Sequence, residues 1–131
     1  MLILVTGGVG YIGSHIVKIL DEQGHQVVIL DNFSNSDKRV FKRLREICNK
    51  EIILFDGDIR NYELLDKIFQ QTKIDCVIHL AGHKAVGESC NEPIKYYDNN
   101  VLGTLNLLKA MSNHDVKKLV FSSSATVYGI P

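Results

Sequence analysis

No charge of either sign predominates in this sequence: 15 Lys and Arg residues stand against 15 Asp and Glu. Without an excess of one sign there is no long-range field to draw in nucleic acid or an anionic membrane, so recognition of a phosphate has to be local. Long hydrophobic runs are also missing, and no N-terminal stretch reads as a signal peptide, so a cytoplasmic protein without membrane contact is expected. Cysteine is sparse. Cys48, Cys76 and Cys90 form an odd set with no C-x-x-C pair, which suits a reducing compartment; Cys76, inside Cys76-Val77-Ile78, reads as packing. The five histidines show no metal-ligand spacing, and no metal is expected. His15, His25 and His114 read as structural or solvated, and His79, within an apolar run, as a hydrogen-bonded core residue. Repeats, low-complexity tracts and linkers are absent.

What is present is an ordinary globular composition, 45% hydrophobic and 23% charged over 131 residues, enough for one domain with a real core. Apolar runs at Leu2–Val5, Gln26–Asp31, Glu51–Phe55, Asp75–Leu80 and Lys117–Phe121 read as strands. Their nearly continuous apolar character suits parallel strands covered on both faces. Between them lie helical patterns over Tyr11–Gln23, from an N-cap at Ser36 or Asp37 to about Cys48, over Asn61–Gln71, and over Pro93–Asn113. In the last of these Val101, Leu105, Leu108 and Met111 recur at helical spacing, and Gly103 interrupts it at a cost of ~1 kcal/mol unless something packs closely there. Ala81 to Asn91 reads as a long loop. The second helix, carrying Lys38, Arg39, Lys42, Arg43 and Arg45, is the most basic segment and reads chiefly as a solvated face.

Strands alternating with helices imply right-handed β-α-β crossovers. The expected class is therefore α/β, a Rossmann-type doubly wound parallel sheet of at least five strands in the order 3-2-1-4-5. In such sheets ligands bind beyond the carboxyl ends of the strands. The unusual loops all fall there: Gly7 to Gly13, Asp31 to Ser36, Asp58-Ile59, Ala81 to Ser89 and Ser122 to Thr126 each follow a strand.

The first of these loops carries the strongest signal. Gly7, Gly10 and Gly13 sit between an apolar strand and an amphipathic helix. In that setting Gly7 permits the tight turn, Gly10 lets a pyrophosphate approach the backbone, and Gly13 lets the helix lie against its strand. The N–H groups at the helix start face the anion. Asp31 follows Gly13 by eighteen positions, near the ~20 expected of a carboxylate that accepts from ribose hydroxyls. A carboxylate there repels a 2′-phosphate, so NAD is expected rather than NADP. Asp58 is a candidate for the adenine end, and Ala81-Gly82, with His83 in the same loop, offers open backbone beside a nicotinamide ribose.

Five segments extend the reading: Thr6 to His15, Gly57 to Arg60, Ala81 to Ser89, Asn99 to Thr104, and Ser122 to Gly129. Over the whole length the chain resembles the UDP-glucose 4-epimerase (UDP-galactose 4-epimerase) family, within the extended short-chain dehydrogenases/reductases. The glycine loop is shared with many relatives, whereas Lys84 to Ser89 and Gly57 to Arg60 are more selective. The resemblance implies that Tyr11 and Ile12 offer N–H groups to the pyrophosphate of NAD. It also implies that Asp31, Asn32, Phe33, Ser34, Asn35 and Ser36 surround the adenosine ribose, and that Asp58 and Ile59 border the adenine. Leu80, Ala81, Gly82, His83, Lys84 and Asn99 continue toward nicotinamide. Ser124 resembles the catalytic serine that hydrogen-bonds the reacting sugar hydroxyl.

The reaction implied is interconversion of UDP-glucose and UDP-galactose through transient oxidation at C4. The family's base is the tyrosine of a Tyr-x-x-x-Lys motif, and here the sequence departs from the family. Residues four after Tyr11, Tyr62, Tyr96 and Tyr97 are His15, Asp66, Asn100 and Val101, and Tyr128 lies too close to Pro131. The chain therefore reads as the cofactor-binding front portion of an epimerase, with the sugar-nucleotide-binding domain absent, and is expected not to epimerise alone. Residues 1–131 are read as a single incomplete NAD-binding domain. The parent enzyme is expected to be a homodimer, and the fragment to self-associate through an exposed fifth strand. The alternatives are a sugar-nucleotide dehydratase, a uronate epimerase, or a stand-alone NAD-binding module without catalysis.

Overall fold

In the computed structural model, which describes residues 1–129, five parallel strands form one sheet in the order β3-β2-β1-β4-β5. The strands are β1 Leu2–Thr6, β2 Gln26–Asp31, β3 Ile53–Asp56, β4 Cys76–His79 and β5 Leu119–Phe121. This is the order expected from the sequence. Chain direction reverses its lateral course after β3, so a crevice opens at the carboxyl ends of β1 and β4, whose register runs from Ile3 against Cys76 to Thr6 against His79.

Alternation along the strands builds two cores. Leu4, Val28, Leu30 and Val77 point to one face, where α3 (Tyr62–Gln71) and α6 (Gly103–Asn113) cover them with Leu65, Ile68, Leu107 and Ala110. Ile3, Val5, Val27 and Ile29 point to the other, beneath α1 (Tyr11–Glu22) and α2 (Lys38–Ile47), which contribute Val17 and Leu44. Central strands thus bury both faces, which is why their sequences carry no polar alternation. Side-chain caps set two helix starts: Asp37 accepts from the Arg39 N–H at 2.8 Å, and Asn61 from the Leu64 N–H at 3.1 Å.

Two expectations need correction. The stretch read as one loop from Ala81 to Asn91 contains the helical turn α4 (Val86–Asn91), whose small and polar residues hide the pattern. The stretch read as one helix from Pro93 divides into α5 (Pro93–Tyr96), a π-helical segment (Tyr97–Leu102) and α6. The face turned to the sheet is Gly103, Leu107, Ala110 and Met111, while Val101, Leu105 and Leu108 are exposed. Gly103 selects that face. A Cβ there would stand 2.5 Å from the Ile59 Cδ1 atom, so the glycine gives α6 its close approach to the loop after β3.

Candidate cofactor site

The glycine loop is shaped by contacts that leave no room for a side chain at Gly7 or at Gly13. Gly7 has φ of 70°, a left-handed conformation, and a Cβ on it would lie 2.9 Å from the Ala81 backbone nitrogen. A Cβ on Gly13 would run into the Gly7 carbonyl oxygen and come within 2.8 Å of the Gly8 Cα. The first turn of α1 therefore sits directly on the turn that precedes it. Helix α1 starts at Tyr11 with no side chain capping it and no acidic residue in its first turn, which leaves its positive end facing the crevice.

That crevice is a cavity of about 340 Å³. The glycine loop and Tyr11 to Gly13 form one wall, and Asp31, Asn32 and Ser34 to Ser36 form the next. Ile59 closes one end, and Leu80 to Lys84 with Asn99 form the other side. Nearly every residue singled out in the sequence is therefore brought to one cavity. Phe33, Asp58 and Ser124 are not part of its lining. Phe33 has φ of 55° and carries the Lys38 ammonium over its ring at 5.3 Å. Ser124 follows β5, is exposed, and its carbonyl accepts from the Val127 N–H at 3.3 Å. Leu30, Gly57 and Ser122, which the sequence marked only as parts of a strand or loop and not as cofactor contacts, also line the cavity; Leu30 and Gly57 adjoin Asp31 and Asp58, and Ser122 opens the loop that carries Ser124.

The acidic residues are heavily engaged by the protein itself. Asp31 is 7% exposed. Its carboxylate accepts from the Val9 N–H, the Phe33 N–H and the Ser36 hydroxyl, each at 2.9 Å. It thereby ties the glycine loop to the loop after β2. Asp58 accepts from the Arg60 N–H at 2.8 Å, from the Arg60 guanidinium, and from the Asn32 amide at 2.9 Å. The Arg60 hydrogen bonds hold the Asp58 carboxyl down at about 2, against the opposing effect of burial. Arg60 also reaches Asp98 at 2.9 Å. Ion pairs of Arg60 with Asp58 and Asp98, together with the Asn32 hydrogen bond, thus join the loops after β2 and β3 to the π-helical segment.

On the opposite side the loop after β4 is held by hydroxyl and amide groups. The Thr6 hydroxyl accepts from the N–H groups of Leu80 and Ala81, both at 3.2 Å. Asn100 accepts from the His83 N–H at 2.8 Å and donates to the His83 carbonyl at 2.9 Å. His79 is 1% exposed, within hydrogen-bond distance of Thr6 and Thr104, and packed against Phe121 with ring centroids 5.7 Å apart. This is the hydrogen-bonded core histidine expected from the sequence. Among the described residues no cluster suited to a metal ion occurs, and no helix is long and apolar enough to cross a membrane.

The architecture has close counterparts. A family model described as GDP-mannose 4,6 dehydratase matches residues 4–131. A UDP-glucose 4-epimerase of Neisseria meningitidis serogroup C is 59% identical over 129 residues, which are 98% of this chain and 38% of that protein. One from Klebsiella pneumoniae is 53% identical over 129 residues, and there the match covers 93% of the relative. The crystal structure of UDP-glucose 4-epimerase from Bifidobacterium longum in complex with NAD+ and UDP superposes with a TM-score of 0.97 at 49% identity, over 100% of this chain and 39% of that one. The chain thus spans less than half the length of most of these relatives. By the family model and by relatives matched along nearly all of its residues, the chain belongs to the GDP-mannose 4,6-dehydratase family in the broad sense and, within it, to the UDP-glucose 4-epimerase family.

Proposed function

We propose that residues 1–131 form the NAD-binding domain of a protein that interconverts UDP-glucose and UDP-galactose. The observation that carries this reading is the cavity itself: an uncapped helix start on one wall, a buried carboxylate at the end of β2, and open backbone after β4. These groups fit a dinucleotide. The N–H groups of Tyr11 and Ile12 hold the pyrophosphate, because Gly10, directly before them, carries no side chain. Asp31 has one acceptor position left after its three internal bonds, and this takes a ribose hydroxyl, with Asn32 to Ser36 enclosing the sugar. Asp58 and Ile59 border the adenine, Phe33 shapes the loop from behind, and Leu80 to Lys84 with Asn99 receive the nicotinamide end. When bound, NAD supplies a reversible acceptor for the hydride of sugar C4.

Ser124, at the carboxyl end of β5, is proposed to hydrogen-bond the reacting hydroxyl of the UDP-sugar. The Tyr-x-x-x-Lys base is absent from these residues, so this chain by itself binds cofactor without epimerising. Val120 and Phe121 on the edge strand are each more than half exposed, and we propose self-association there; a purely monomeric sedimentation profile at high concentration refutes it. Calorimetric titration with NAD and NADP tests the central reading. Saturable NAD binding with much weaker NADP is expected. A folded chain that binds neither, or that prefers NADP, overturns it.

A further inference from the structure

Thr6, His79, Thr104 and Asn100 lie in one line between β1, β4 and the helices after α5, and the bond from the Thr104 hydroxyl to the Asn100 carbonyl sets how the hydrogens run along it. The Thr6 hydroxyl oxygen accepts the Ala81 N–H and shares the Leu80 N–H with the Thr6 main-chain carbonyl, which takes it at 3.1 Å, and its own hydrogen goes to the His79 Nδ1 atom 2.6 Å away. On the far side the Thr104 hydroxyl donates to the Asn100 carbonyl at 2.5 Å, so it accepts from His79 Nε2 at 2.9 Å. The ring is then neutral with its hydrogen on Nε2. The opposite tautomer would take the Thr104 hydrogen away from the Asn100 carbonyl.

Both ends of this line hold the same loop. Thr6 grips the N–H groups of Leu80 and Ala81, and the Asn100 side chain grips both backbone groups of His83. We propose that His79 is a positioning residue for the cofactor: as a neutral Nε2–H tautomer it locks the two clamps together and so fixes the Leu80-to-Lys84 wall against the dinucleotide. Its place is behind that wall, since the cavity lining includes Leu80 and Asn99 but not His79. A generic buried residue would fill the same volume. Only a side chain that accepts at one end and donates at the other joins the two threonines.

The inference rests on the proposal that this cavity binds NAD, and the test separates the two. Ring nitrogen NMR of the NAD-free chain at pH 7 is expected to show a neutral His79 with the hydrogen on Nε2; a hydrogen on Nδ1, or a charged ring, overturns the inference regardless of any ligand. NAD titration then compares the unaltered chain with Thr104→Val, Thr104→Ser and Asn100→Asp, at a temperature where each is folded. Thr104→Val and Asn100→Asp are expected to bind NAD about tenfold more weakly, the loss of one positioned contact, and Thr104→Ser to recover the affinity. Unchanged affinity in both Thr104→Val and Asn100→Asp, or no recovery with Thr104→Ser, refutes the positioning role while leaving NAD binding intact. Failure of the unaltered chain to bind NAD removes both readings.

Discussion

Replacing Asp31 by alanine should unfold the chain as much as it impairs cofactor binding, because the carboxylate serves three internal donors. Val9 is 1% exposed, so its N–H, now bonded to Asp31 at 2.9 Å, would be left buried without an acceptor, at about 1–3 kcal/mol. The Phe33 N–H and Ser36 hydroxyl are only partly buried, and water replaces most of what they lose, about 0.5 kcal/mol each. Phe33 is held at a φ of 55°, which a bulky residue does not adopt unaided, so the turn is also expected to relax. The sum is about 3 kcal/mol, equivalent to a fall in melting temperature of roughly 10–15 °C for a domain of this size. Thermal unfolding followed by circular dichroism, without ligand, measures it. Asp31→Asn keeps one acceptor and should lose less than Asp31→Ala. A melting point within about 2 °C of the unaltered chain for Asp31→Ala would refute the argument that this carboxylate joins the two loops.

Glycine replacements should separate by what the new methyl meets. Gly13→Ala pushes a Cβ into the rigid backbone of Gly7 and Gly8 and should cost about 3 kcal/mol or more, with loss of NAD binding. Gly103→Ala meets the movable end of the Ile59 side chain and should cost about 1–2 kcal/mol; chemical denaturation of both ranks them. Stability should also fall with acid in a window set by His79. Burial first, and the Lys84 charge second, depress its folded value from 6.5 to about 4. The unfolded chain therefore binds the proton more readily, and the contribution is complete above pH 6.5 and lost as pH falls toward 4. The loss approaches about 3 kcal/mol. Urea midpoints at pH 7 and 4.5 check it, and His79→Gln should flatten that part of the profile; an equal slope in both proteins contradicts the assignment. Asp58, held at about 2 with an ordinary value of 3.8, acts only below this window, its contribution being lost as pH drops from about 4 toward 2.

Much of the fold could be read directly from residue order. Continuous apolar strands, glycine spacing and an acid at the end of the second strand each report a local requirement, and the sheet order and the cavity agree with them. Other features depended on partners distant in sequence. Helix α6 is apolar on two sides, with Leu105 and Leu108 on one and Leu107, Ala110 and Met111 on the other. Periodicity alone does not choose between them. The choice is made by Gly103 against Ile59, a contact across 44 positions of chain. Likewise Asp58 was legible as an acidic residue in a site loop, but Arg60 and Asn32 decide how much of its carboxylate remains available.

By itself the sequence determined the order of the five strands with their main crossover helices and where a tight glycine turn must stand, since those follow from backbone freedom at glycine and from the spacing of apolar residues. Only the tertiary structure decided which side chains hold that loop's neighbours in place. Hydrogen-bond partnership depends on distance and on the count of free donors and acceptors. Thr6, His79, Asn100 and Thr104 meet only when β1, β4 and the segment after α5 are packed side by side.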